Sequence, residues 1–514
     1  MNDFIKRARG FFASRGFSSG LITALVIALV IAANVVIFTL TSLLGLYIYS
    51  PVEYNYGTSG AADSVLSEAN EKGDKLTVTF LMAKEDIELH NTGKFVHATA
   101  LSYAERYSFI DVKYVNLLTK MDENGKLVDL TKYQKDLRGE EAQLRTHSII
   151  FSYGEGVEEN YRVVTDLYSA AGFADFYNLD SSGNAMAYSG DEMFGSMLAW
   201  VLNKEHKTVY FTENHGETVD IALSSLLTAA GYYIDVINLR TTEVPDDAAF
   251  VIISNPTNDF ERASVGSGVR AEIERLETYL KTGNGGKGGK IYAQIDPYSD
   301  RMENLEALLA GYGIELSGKE GEYGYSRELV VDPSEAIAMD GMSFIASFGE
   351  GEHSSAIADN VKGYTDGRVL LSQVARLKLG AGAEALLYSS PTSRVLWEGS
   401  EVAVGGSFPV AAYSSRDEGE GAVSEIVVLP TVLVANGDIM ISEGYSNKGF
   451  LYSLLEEVYG ANNAIYGTKS VIYDSGALEN LTQSGATVYT VILFAIPFAL
   501  AIVGAIVVIR RKRR

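Results

Sequence analysis

Apolar and polar positions divide the chain into an ordered series of elements. Residues 21–48 and 486–509 contain no charged side chain. Each is long enough for a helix to cross a hydrocarbon core, which takes about 20 residues. Only a helix satisfies its own backbone in lipid, so both stretches are expected to be helical, with a kink at Pro497 in the second. Between them the periodicity changes. LTVTFLM (76–82) and FIDVKYVNLL (109–118) read as strands around a helix over 94–107, where Phe95, Ala98, Leu101 and Ala104 recur near a 3.6 period. SIIFSY (148–153) adds a strand, and EENYRVVTDLY (158–168) reads as strand or hairpin. Residues 190–204 predict a helix with an apolar stripe through Met193, Met197, Leu198, Val201 and Leu202.

The next region alternates more regularly. TVYFT (208–212), YYIDVINL (232–239), AAFVIISNP (248–256) and GKIYAQIDP (289–297) read as strands, separated by helices expected over 219–230, 269–280 and 302–312. ELVVD (328–332) follows as another strand. Such alternation predicts a mostly parallel sheet covered on both faces. Beyond residue 365 the pattern is more β-like, with VLLSQVARLKL, ALLYSS and SEIVVLP as strands and a closing helix at 450–460. This part is expected to complete the second domain. The resulting plan is a basic tail at 1–20, a transmembrane helix at 21–49, and a first α/β domain at 50–189. A connecting helix at 190–206, a second α/β domain at 207–465 and a linker at 466–485 follow. A second transmembrane helix at 486–509 and a basic tail at 510–514 end the chain.

Charge orients this plan. Lys6, Arg7, Arg9 and Arg15 precede the first span, and Arg510-Arg511-Lys512-Arg513-Arg514 follow the second. Basic flanks stay cytoplasmic, so both termini are expected inside and the large domain outside, in a two-pass protein of a bacterial cell membrane. A cleaved signal peptide fits less well, because the apolar run exceeds a usual h-region and lacks a small-x-small site before Pro51. The two tails hold nine of the 42 basic residues but one of the 66 acidic ones, so the region between the spans is strongly acidic. That argues against nucleic acid as a partner. The absence of cysteine excludes thiol nucleophiles, CxxC redox pairs and cysteine-ligated metals.

In an open parallel sheet, ligands bind outside the carboxyl ends of the strands. Three expected strands end in polar turns: Glu213-Asn214-His215-Gly216-Glu217, Ser254-Asn255-Pro256 and Asp296-Pro297-Tyr298. His215, Glu217, Asn255, Asp259, Asp296 and Arg301 are therefore candidate ligand-binding neighbours. The same residue types also serve as ordinary turns and caps. No G-x-S-x-G elbow accompanies them, and no catalytic residue is assigned. A lone H-x-E lacks the helical H-E-x-x-H spacing, and the six histidines show no zinc-type spacing, so neither metal nor cofactor is expected. GNGGKGG (283–289) follows a helix and precedes a strand, the reverse of a phosphate loop. Energy for any transport would come from another subunit.

Taken together, TVYFTENHGE, YYIDVINLRTTEVPDDAAFVIISNPTNDF, LETYLKTG, GKIYAQIDP and LEALLAGYGIEL resemble the GldG-like, gliding-motility-type family of ABC-transporter auxiliary proteins. In that family a strand ends in G-H-G-E. Asn214 stands here at the first glycine, and Asn255-Pro256-Thr257 replaces a small residue, proline and lysine. The closing segment VLPTVLVANGDIMISEGYSNKGFLYSLLEEVYG fits as well. The resemblance implies a flavodoxin/amidotransferase-like sheet, ABC permease and ATPase subunits as partners, and no catalysis. Amidotransfer needs a cysteine that this chain lacks. The implied role is a membrane-anchored accessory component whose outer domain binds a solute or partner. Alternatives are a cell-surface structural or sensory protein without a transporter, and a hydrolase using Glu217 and Asp296.

Overall fold

The computed structural model describes residues 56–472 and Arg510, leaving out 73–74, 155–158, 166–172, 180–184, 204–205, 218–220, 265–269, 323, 432, 443, 462–464, 466–467 and 469. The expected spans at 21–49 and 486–509 lie outside the described residues. Among the described residues no helix is long and apolar enough to cross a membrane. The unit Glu53–Tyr473 contains both expected α/β regions.

The first region contains α1 (Asp63–Lys72), β1 (Leu76–Phe80), α2 (Lys84–Leu89), α3 (Gly93–Arg106), β2 (Ile110–Asn116), β3 (Met121–Asp122), β4 (Ile149–Tyr153) and β5 (Asn160–Val164). The sheet order is β3-β2-β1-β4-β5. Only β1 and β2 run parallel, which is the pairing that the α3 crossover permits. The others pair antiparallel. The buried face of α3 differs from the expected stripe. Val96, Thr99, Ala100 and Tyr103 point inward, while Leu101 is exposed. Tyr103 decides this face, because its hydroxyl reaches the Asp191 carboxylate and carbonyl oxygens, both at 3.0 Å.

Asp191 belongs to α4 (Gly190–Leu202), which follows the short strands β6 (Tyr177–Leu179) and β7 (Ala185–Tyr188). The sequence suggested an amphipathic connector. Instead, every residue from Gly190 to Val201 is buried. The helix packs on α1, α3, β4 and β5 of the first region and also on α5 (Ile221–Ala229) of the second. Being covered on all sides, it is a core helix shared by both regions.

The second region continues with β8 (Thr208–Thr212), β9 (Tyr233–Ile237), β10 (Ala248–Ser254), α6 (Glu272–Gly286), β11 (Lys290–Gln294) and α7 (Glu303–Ala310). Four short strands follow: β12 (Ile314–Leu316), β13 (Gly318–Gly321), β14 (Gly324–Arg327) and β15 (Leu329–Val331). Next come β16 (Ser343–Phe348), α8 (Glu352–Tyr364), β17 (Val369–Ser372), β18 (Val374–Ala375), β19 (Leu377–Leu379) and β20 (Ala383–Tyr388). The chain then forms β21 (Ser393–Trp397), β22 (Ser400–Gly406), β23 (Pro409–Gly419), β24 (Ala422–Leu429), α9 (Gly437–Ile441), α10 (Asn447–Tyr459) and β25 (Val471–Ile472).

The main sheet has nine strands in the order β17-β16-β20-β23-β24-β11-β10-β8-β9. From β24 to β9 it is parallel. From β24 to β17 it is antiparallel. The fold is therefore α/β with mixed sheets, and the expectation of a mostly parallel sheet is corrected to an even division. The change of direction begins at one turn. Glu420 (φ 54°) and Gly421 (φ 84°) form a two-residue connection with both residues left-handed, and such a hairpin can only return antiparallel. A second irregularity breaks the expected strand VLLSQVARLKL. Gln373 sits at φ 53°, and the pieces on either side join three different partners, β16, β15 and β12. Two apolar layers flank the main sheet, and β10, third from the β9 edge, is buried throughout, as its unbroken apolar run requires.

Candidate functional site

Strands β8, β10 and β11 lie side by side and parallel, so the turns after them share one sheet edge, as the sequence suggested. The first turn is shaped by its backbone. Asn214 adopts φ 80° and Gly216 φ 81°. Asparagine tolerates the left-handed region better than other non-glycine side chains, which suits it to this position. At Gly216 no replacement is possible without movement, because a Cβ there would lie 2.0 Å from Thr257 Oγ1.

This turn drives His215 inward until it is fully buried. Its Nδ1 lies 2.9 Å from Glu217 Oε1 and its Nε2 2.9 Å from Glu272 Oε2. Its backbone N–H donates to Glu217 Oε2 at 2.6 Å. Its carbonyl accepts the N–H groups of Thr257 (2.8 Å) and Asn258 (2.9 Å) from the next turn. The ring stacks on Phe260 at 3.8 Å. Glu272, the first residue of α6, also accepts the Glu261 N–H at 2.7 Å, and Arg240 stands 3.4 Å from its other oxygen.

Both ring nitrogens face carboxylate oxygens, and only an imidazolium can donate from both. Burial by itself pulls the His215 pKa down. The hydrogen bonds to Glu217 and Glu272, then their charges, more than offset it, and the net shift is upward. For Glu217 burial pulls upward, but the bond from His215 and the backbone donors hold it below the usual carboxylate value. A histidine engaged at both nitrogens has no lone pair for a metal or for proton abstraction. The group is a buried carboxylate–imidazolium–carboxylate clamp that ties the β8 turn to the N-terminus of α6. Among the described residues, no three His, Asp or Glu side chains are placed to hold a metal ion.

The remaining sequence candidates lie apart from this clamp. Asn255 adopts φ 52° and donates its N–H to the Gln294 carbonyl at 2.8 Å, with its side-chain oxygen buried and unpartnered. The Asp259 carboxylate accepts the N–H groups of Asn304 (2.8 Å) and Leu305 (3.1 Å), capping the start of α7. Asp296 accepts the Tyr298 N–H at 2.8 Å within its own turn. Arg301 is exposed, 3.8 Å from Glu303. The structure thus joins His215 to Glu217 and adds Glu272, Arg240 and Phe260, which the sequence reading missed. No local spacing could reveal Glu272, since it lies 57 positions after His215.

No family model matches the chain, and no curated protein matches it. Among solved structures, the mmIFT52 N-terminal domain is similar at 15% identity and TM-score 0.34, covering 49% of this chain and 96% of that one. A cytoplasmic protein from Salmonella typhimurium is similar at 12% identity and TM-score 0.27, covering 48% and 97%. PurLQS from Thermotoga maritima is similar at 11% identity and TM-score 0.28, covering 49% and 98%. At such scores these likenesses bear on neither activity nor partners.

Proposed function

We propose that the chain is a non-catalytic, membrane-anchored accessory component of a bacterial ABC transport system, with an extracytoplasmic domain that binds a solute or partner. One observation carries the non-catalytic part. The polar groups at the sheet edge that could act chemically are already engaged within the fold: His215 at both nitrogens, Glu217 by His215, and Asp296 by its own turn. The hydrolase reading through Glu217 and Asp296 loses support for the same reason. The transporter association rests on the resemblance of the TVYFTENHGE, VIISNPTNDF and YAQIDP segments to the GldG-like family and on the two uncharged, basic-flanked stretches.

Purification of the full chain in mild detergent tests the association. An ABC permease and an ATPase are expected to co-purify. Recovery of a clean monomer at native expression would refute it.

A further inference from the structure

After β11 the chain turns through Asp296-Pro297-Tyr298 and runs beside the β13–β14 hairpin and the β21–β22 turn. A pocket of about 290 Å³ opens there, lined by Tyr298, Tyr325, Met342, Leu396, Glu398 and Arg327 among others. This is near the lower end of ligand-pocket sizes, roughly 300 Å³. Tyr298 is 58% exposed, and the segment leading to Met342 leaves Ile337 and Met339 in solvent.

Arg327 has unspent binding capacity. Its side chain is wholly buried. One terminal nitrogen, Nη2, meets Glu306 Oε1 at 2.9 Å, the Asp300 carbonyl at 3.2 Å and Ser299 Oγ at 3.3 Å. Its Nε and Nη1 are buried without a partner. A guanidinium remains charged at any working pH and presents five N–H donors, so three of them face no acceptor. Buried donors in that state are costly, and the cost is relieved by an incoming acceptor. Glu306 balances the charge from one side only, and the same Glu306 oxygen also accepts the Met302 N–H at 3.0 Å. Arg301 adds a second cation, with Arg301 and Arg327 lying 5.8 and 5.6 Å from the Tyr325 ring.

We infer that this pocket binds a small aromatic or aliphatic carboxylate. The carboxylate would accept from Nη1 of Arg327, and the hydrocarbon would rest on Tyr298, Tyr325, Met342 and Leu396. A charged acceptor is favoured over a neutral one because a charge-assisted hydrogen bond is about twice as strong. The inference deepens the solute-binding half of the proposed function, rests on that half, and needs no transporter partner.

The test is calorimetric titration of the purified full chain with 3-phenylpropionate, benzoate and the neutral amide of 3-phenylpropionate. At least one acid is expected to bind, and 3-phenylpropionate about tenfold more tightly than its amide. Arg327→Gln should weaken the acids by about tenfold or more. Should that variant fail to fold, Tyr298→Ala carries the test, because Tyr298 is largely exposed; it should weaken binding severalfold. The inference is overturned if neither acid binds, if the amide matches its acid, or if Tyr298→Ala leaves affinity unchanged. Absence of a co-purifying permease leaves these outcomes intact and counts only against the transporter association.

Discussion

Replacing His215 with alanine tests the carboxylate–imidazolium–carboxylate clamp most directly. The substitution removes two charge-assisted hydrogen bonds of 2.9 Å and the stacking contact with Phe260. Such bonds contribute about 1.5–3 kcal/mol each, and the stacked pair about 0.5–1.5 kcal/mol. It also leaves Glu217 and Glu272, 4% and 1% exposed at their side chains, without the cation between them. Breaking a buried pair in this way costs about 3–5 kcal/mol. In a unit of this size that corresponds to a fall in Tm of about 3–6 °C.

The pH dependence gives the test its sign. His215 has a raised folded pKa, so its contribution is complete below its ordinary 6.5 and fades as pH rises through the higher folded value. Glu217 has a lowered folded pKa, so its contribution is complete above its ordinary 4.5 and fades as pH falls through the lower folded value. The difference in stability between wild type and His215→Ala should therefore be greatest and flat from pH 4.5 to 6.5, and shrink on either side. Urea unfolding followed by circular dichroism across that range measures it. A difference below about 1 kcal/mol, or one indifferent to pH, would refute the clamp.

Three further outcomes follow from particular contacts. Glu192→Leu strips the partner from Lys448, 2.5 Å away, and from the Tyr452 hydroxyl, and should cost about 2–4 kcal/mol in urea unfolding; adding Lys448→Met should recover part of it. Asn255→Ala at φ 52° should cost about 1 kcal/mol by thermal melting, whereas Asn255→Gly should stay within about 0.5 kcal/mol of wild type. Burial, aided by the charge of Lys84, pulls His97 down to about 4, so the unfolded chain takes up this proton first as pH falls. Stability should therefore drop by roughly 3 kcal/mol between pH 6.5 and 4, and His97→Phe should flatten that slope in unfolding titrations.

Element types were largely legible in the sequence because they depend on neighbours only a few positions away. TVYFT is β8 as read, and the stretches around 76–82, 148–153, 248–256 and 289–297 are strands within a few residues of the expected bounds. The polar turns after β8, β10 and β11 do share one edge, since parallel pairing of adjacent strands leaves no other arrangement. Strand β23 was missed because its second half, RDEG, is polar and partly exposed, and α8 was missed because its buried face is only Ser354, Ile357, Ala358 and Val361.

By itself, the sequence determined the local periods, the two uncharged stretches with their basic flanks, and the exclusion of thiol chemistry. The tertiary structure alone decided which way those elements face and what their polar groups meet. It buried α4 on every side, divided the main sheet between parallel and antiparallel strands, and closed Glu272 onto His215 across 57 positions. The reason is physical. Periodicity is a property of neighbours along the chain, whereas burial, strand partners and the charge state of an enclosed histidine depend on groups that only folding brings together.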